Sequence, residues 1–180
     1  IVERSTLKKP ILLHIPKTGG TTLFLAVTGA TVPLKPNALY RHVQLNVDRT
    51  EMVSNSGDIF DGSAHKKYPG HKYIVISRDP LERLESEFGF FGTRNIFRDV
   101  WKRKIGSNFP TSLLEYISHQ ATSNSICKFL LGYDLYGKDS IDEQKERQII
   151  STFDNLEFVF GLMNEMSLSF KNVEHQCKMK

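Results

Sequence analysis

Hydrophobic positions along the 180-residue chain fall into short compact runs separated by amphipathic stretches. The first run, ILLHI at 11–15, gives way to Pro16, Lys17, paired glycines and paired threonines, then turns apolar again. This pattern predicts a strand at about 10–15, a tight loop at 16–20 and a helix over 21–28. GATVPLKPN ends that helix with glycine, β-branched residues and prolines. LYRHVQLNV, 39–47, alternates enough for a short strand, while 54–72, rich in Gly, Ser and Lys, reads as a surface loop. KYIVIS, 72–77, is compact, β-branched and aromatic, which predicts a buried strand.

The remainder is mainly helical. Asp79 as N-cap, Pro80 in the first turn and Glu82 make a helix start, after which Leu81, Leu84, Phe88 and Phe91 share one face. Helical patterns follow at 94–105 and 111–131, the second ending at Gly132. Ser140 and Glu143 form the outline of a capping box for a helix reaching about 152. LEFVFGL, 156–162, predicts a further core strand, and a helix over 164–176 follows it. Strands separated by helices, the first feeding a phosphate-type loop, predict an α/β fold: a three-layer, P-loop-like domain with a mostly parallel sheet flanked by helices. The length suits one domain, 1–180, able to bury its own core.

Composition adjusts this picture only slightly. The formal charge of +4 is compatible with acidic ligands and equally with a solvated basic surface. No run approaches the ~20 apolar residues needed to cross a bilayer, and the first ten residues lack a signal-type apolar core. Without an initiator Met the chain reads as a trimmed or mature form. Cys127 and Cys177 are too few for a disulfide framework and lack metal-ligand spacing; one bridge and two buried thiols are equally open. The absence of an Asn-x-Ser/Thr sequon leans against a glycosylated lumenal protein. There is no internal repeat and no low-complexity segment.

The chemistry concentrates in two motifs. HIPKTGGTT, 14–22, joins a strand to a helix, so free backbone N–H groups and a positive helix end face whatever lies above the loop. Gly19 and Gly20 permit close backbone approach, Thr21 and Thr22 offer hydroxyls, and Lys17 adds a cation. In the ATP- and GTP-binding loop, G-x-x-x-x-G-K-[ST], the lysine follows the glycines; here it precedes them. Taken alone, the stretch also fits a glycine-rich turn with an exposed lysine. The second motif, ISRDPLERLESEF at 76–88, sets Arg78 at the C-terminal end of a strand, where α/β sheets bind ligands. Ser86 lies two turns into the next helix and could grip a phosphate with Arg78; a surface ion pair and a solvated serine fit equally.

Together, HIPKTGGTT and SRDPLERLESEF resemble the 5′-phosphosulfate loop and the 3′-phosphate motif of sulfotransferases that use 3′-phosphoadenosine 5′-phosphosulfate (PAPS). The nearest resemblance is to the carbohydrate group that includes the heparan sulfate 2-O- and 6-O-sulfotransferases. FVFGLMNEMSLSF, 158–170, is similar to a later strand-helix segment of that family, so the likeness spans about 11–170. It implies that Lys17, Thr18, Gly19, Gly20, Thr21 and Thr22 hold the 5′-phosphosulfate, and Arg78 and Ser86 the 3′-phosphate. It further implies in-line sulfuryl transfer to a hydroxyl, without a metal, leaving 3′-phosphoadenosine 5′-phosphate (PAP). The expected partner is a carbohydrate or polysaccharide hydroxyl, not a nucleic acid.

The acceptor hydroxyl needs a base, and His suits that task near neutral pH. In the carbohydrate sulfotransferases the base lies between the two motifs, which puts His42 in YRHVQL first and His65 second. His14, beside the loop, reads as structural, and His119 and His175 fall on helices remote in sequence from both motifs. WKRK at 101–104, with Arg94 and Arg98, and the phenylalanines 88, 90, 91 and 97 could contact an anionic sugar chain; a solvated face and a packed core explain them better. The chain is short for the family, as a minimal version or a C-terminally shortened one would be. The family habit implies a membrane-anchored enzyme of the Golgi lumen; a complete short chain would be cytoplasmic. A P-loop kinase or NTPase and a non-catalytic nucleotide- or glycan-binding module are the alternatives.

Overall fold

The computed structural model describes residues 10–13, 15–19, 22, 51–53, 60, 64–133 and 139–177. Four strands, β1 (Ile11–Leu13), β2 (Glu51–Val53), β3 (Tyr73–Ser77) and β4 (Phe158–Leu162), pair in the order β2-β1-β3-β4, all parallel. Leu12 stands opposite Met52 on one side and Ile74 on the other, and Ile74 stands opposite Val159. Helices α1 (Ala64–Lys67), α2 (Pro80–Gly92), α3 (Asn95–Ile105), α4 (Leu113–Ser118), α5 (Ser125–Leu130), α6 (Glu143–Asn155) and α7 (Met166–Gln176) complete the described elements. The protein is therefore α/β, with a parallel sheet.

Both faces of the sheet are covered, which is why β1 and β3 are apolar at successive positions and not alternate ones. Ile11, Leu13, Tyr73 and Val75 face Phe60, Phe129 and Leu130 of α5, and Ile149 of α6. Leu12, Ile74, Ile76 and Val159 face Val173, Met166 and Phe170 of α7. On β4 the burial alternates: Val159 and Gly161 are buried while Phe160 and Leu162 are exposed. A Cβ on Gly161 would lie 2.6 Å from Ile76 Cδ1 and 2.8 Å from Ser169 Cβ, so the bare backbone is what seats α7 on β4. The Ser169 hydroxyl accepts from the Leu162 N–H at 2.8 Å and donates to the Leu162 carbonyl at 2.9 Å. A third core, of Phe91, Phe97, Trp101, Phe109, Tyr116 and Ala121, joins α2, α3 and α4.

Several expectations change. The strand expected at 39–47 lies outside the described residues, and β2 at 51–53 was not anticipated. The stretch 54–72 is not all surface loop: Phe60 is wholly buried and α1 forms within it. The single helix expected over 111–131 is two helices and a 3-10 turn, Gln120–Thr122. His119 leaves helical geometry at ψ 133°, and Asn124 turns left-handed at φ 53°. The last of these pieces still ends before Gly132. Helix α6 is capped by Asp142, whose Oδ1 accepts from Lys145 N at 2.9 Å, and not by Ser140. Leu81, expected to share one face with Leu84, Phe88 and Phe91, is exposed; the buried line of α2 is Arg83, Glu87 and Phe91. Cys127 and Cys177 are free thiols in the clusters on opposite faces of the sheet. Among the described residues no helix is long and apolar enough to cross a membrane.

Candidate functional site

β1 runs directly into a turn at Pro16–Gly19. Lys17 adopts φ 65° and Gly19 φ 82°, both left-handed. For a residue with a side chain that conformation costs roughly 1–2 kcal/mol, so the turn must be held from outside. Two contacts hold it. The buried Thr18 hydroxyl donates to the Ile15 carbonyl at 2.8 Å. Gly19 lies against the start of the β4–α7 connection, where an added Cβ would sit 2.8 Å from Met166 Cε and 3.3 Å from Met163 Cγ. The Thr18 side chain thus serves the turn itself. Thr22 is helical and exposed, whereas His14, Gly20, Thr21 and His42 lie outside the described residues.

β3, paired with β1, ends at Ser77, and Arg78 follows at the same edge of the sheet. Asp79 then caps α2 as its sequence suggested, its Oδ1 accepting from Leu81 N at 2.9 Å and Glu82 N at 3.0 Å. Arg78 Nε donates to Glu82 Oε2 at 3.3 Å, and among the described residues its terminal nitrogens have no partner. Glu82, Ser86 and Phe90 follow at spacings of four, which sets them along one side of α2. Ser86 is half-buried and has no hydrogen-bond partner among the described residues.

The first motif meets this side of α2. Lys17 Nζ rests 4.1 Å from the centroid of the Phe90 ring, and Arg94 Cζ rests 4.0 Å from the same centroid. Burial holds the Lys17 ammonium below its ordinary pKa, Arg78 and Arg94 lower it further, and Glu87 opposes them. Three cations from separate segments therefore share one electrostatic neighbourhood, at the edge where β1 and β3 end. Behind them lies a buried ion pair, Arg83 with Glu87. Glu87 Oε1 accepts from the Tyr116 hydroxyl at 3.0 Å, and Arg83 donates to Ser125 Oγ, which ties α2 to α4 and α5. Arg83, part of the second motif, thus points into the protein.

Of the described histidines, His71 and His119 are held by neighbouring residues. His71 packs edge-on to Tyr68, just before the N-terminal end of β3. His119 accepts from Ala121 N at 3.1 Å through Nδ1 and meets Trp101 edge-on. His175 is exposed in the last turn of α7. His65 belongs to α1, which leads toward the N-terminal end of β3, whereas Lys17 and Arg78 follow the C-terminal ends of their strands.

The basic stretch at 101–104 is divided. Trp101 is wholly buried, and Arg98 Nε donates to the Gly92 carbonyl at 2.7 Å. Arg98 and Lys102 border a cleft of about 700 Å³ with Phe88, Phe109 and Asn108. Phe91 and Phe97 are core, and Phe88 stacks on Phe109. Phe90 is the ring that carries the cations Lys17 and Arg94. Its role and that of Arg94 escaped the sequence, although the F-x-x-x-R spacing over 90–94 is the one signal that could have shown it. Among the described residues no three His, Cys, Asp or Glu side chains group as metal ligands. Comparison with family models, with curated proteins and with solved structures gave no match.

Proposed function

We propose that the chain is a sulfotransferase that moves the sulfuryl group of PAPS to a hydroxyl, that of a carbohydrate, on a P-loop-like domain. One observation carries the reading: Lys17 and Arg78, from motifs far apart in sequence, converge where two paired parallel strands end. A site of this polarity suits a ligand with more than one anionic group. The residues fit the donor. Lys17 and the turn at 16–19 would hold the phosphosulfate end, and Arg78 with Ser86 the 3′-phosphate. When bound, PAPS supplies an activated sulfuryl group on a phosphate that can leave.

The chain's own residues supply the rest. An arriving anion favours the charged form of Lys17, reversing the effect of burial and of the two arginines. The ammonium can then stabilise negative charge developing on the departing phosphate oxygen. The Arg83–Glu87 pair, tied to Tyr116, fixes the helix that carries Ser86 and Phe90. His42 is the proposed base, its neutral imidazole nitrogen taking the proton from the acceptor hydroxyl.

Transfer of labelled sulfate from PAPS to a panel of polysaccharides tests this. Lys17→Ala is expected to lower turnover about a hundredfold or more. Arg78→Ala should chiefly raise the donor KM, and His42→Ala should lose turnover by about a hundredfold or more. Undiminished transfer by His42→Ala would refute His42 as the base. No release of sulfate from PAPS by the wild-type chain, with or without acceptor, would contradict the proposal.

A further inference from the structure

Phe90 is half-buried and carries two cations, Lys17 and Arg94, each about 4 Å from its ring centroid. Like charges brought to one ring oppose each other, and among the described residues neither has a carboxylate at ion-pair distance. The acid that acts on Lys17, Glu87, is itself buried and committed to Arg83 and Tyr116. The backbone of Arg94 is pinned at the junction of α2 and α3: its N–H donates to the Phe91 carbonyl at 3.2 Å and its carbonyl accepts from Phe97 N at 3.0 Å. A guanidinium resting on an aromatic face keeps its N–H fork in its own plane, free to meet an oxyanion in bidentate fashion.

We propose that Arg94 is a ligand-binding residue of this site, set on the Phe90 ring so that it grips the same oxyanion group as Lys17. Phe90 is the shelf that keeps the two cations side by side, and Arg78 serves a separate anionic group at the start of α2. The identity of the shared group as the phosphosulfate end of PAPS rests on the sulfotransferase reading; the anion site itself does not.

The test measures binding of four probes by calorimetry: PAP, adenosine 5′-phosphosulfate, adenosine 3′-phosphate and inorganic pyrophosphate. Arg94→Ala is expected to weaken PAP, adenosine 5′-phosphosulfate and pyrophosphate about tenfold to a hundredfold while leaving adenosine 3′-phosphate within about twofold. Arg94→Lys should recover only part of the loss, because an ammonium has no fork. Phe90→Leu should weaken the same three probes about threefold to tenfold. Arg78→Ala should show the opposite preference, weakening adenosine 3′-phosphate most. Arg94 is exposed, so a melting curve is expected to show Arg94→Ala folded like the wild type.

Wild-type affinity of Arg94→Ala for PAP and pyrophosphate would overturn the proposal, as would an equal loss for adenosine 3′-phosphate. Pyrophosphate bound through Arg94 by a wild-type chain that ignores PAP would uphold the anion site and defeat the sulfotransferase reading. A wild-type chain that binds none of the four would defeat both.

Discussion

Lys17 stands at φ 65°, where glycine sits freely and lysine does not. Its ammonium is also partly desolvated and faces two arginines. Both features oppose stability, which is what the proposed anion site would require. Lys17→Gly is therefore expected to stabilise the ligand-free protein by about 1 kcal/mol in urea unfolding while abolishing PAP binding. The pH dependence follows from the lowered pKa. Between that value and the ordinary 10.5 the unfolded chain binds the proton more readily, so stability rises with pH across this window. Lys17→Gln should remove that rise, which urea titrations at several alkaline pH values would reveal. Tyr73 makes a parallel case in the core. Its hydroxyl is buried without a hydrogen-bond partner among the described residues, and burial, with Tyr68, pushes its pKa up to about 12. Tyr73→Phe should be neutral or stabilising by about 1 kcal/mol, measured the same way.

At the scale of elements, α2 shows what a sequence displays and what it hides. Its start was legible because a cap is local chemistry: Asp79, Pro80 and two nearby N–H groups. Its buried face was not, because what buries Arg83 and Glu87 is Tyr116 and Ser125, which reach them from other helices. The same holds for 111–131, whose periodicity was continuous although Asn124 turns left-handed within it. Strands β1, β3 and β4 were legible because their compact apolar runs stand between polar turns. Removing one member of a buried ion pair leaves an uncompensated charge, so Glu87→Ala should cost about 3–5 kcal/mol. Combining Arg83→Met with Glu87→Leu should cost less than the two single changes summed, as a double-mutant cycle in urea would show.

Across the whole molecule, the site exists because β1 and β3 are neighbours. Their parallel pairing puts the turn after one strand beside Arg78 after the other, and α2 then lays Ser86 and Phe90 alongside. The two motifs were visible as residues, yet strand order depends on long-range pairing that no local pattern records, so their meeting had to come from the fold. Arg94 was read only as part of a basic stretch, and its spacing of four from Phe90 was the one local mark of the cation that turns to that ring. The most direct test of this convergence is the thermal stability of the wild-type chain with PAP and with ATP, each with and without Mg²⁺. At a hundred times its dissociation constant, PAP should add roughly 2.7 kcal/mol of stability with or without the metal, and ATP should add little. Stabilisation by ATP that requires Mg²⁺, with none from PAP, would contradict a site built for a 3′-phosphorylated sulfate donor.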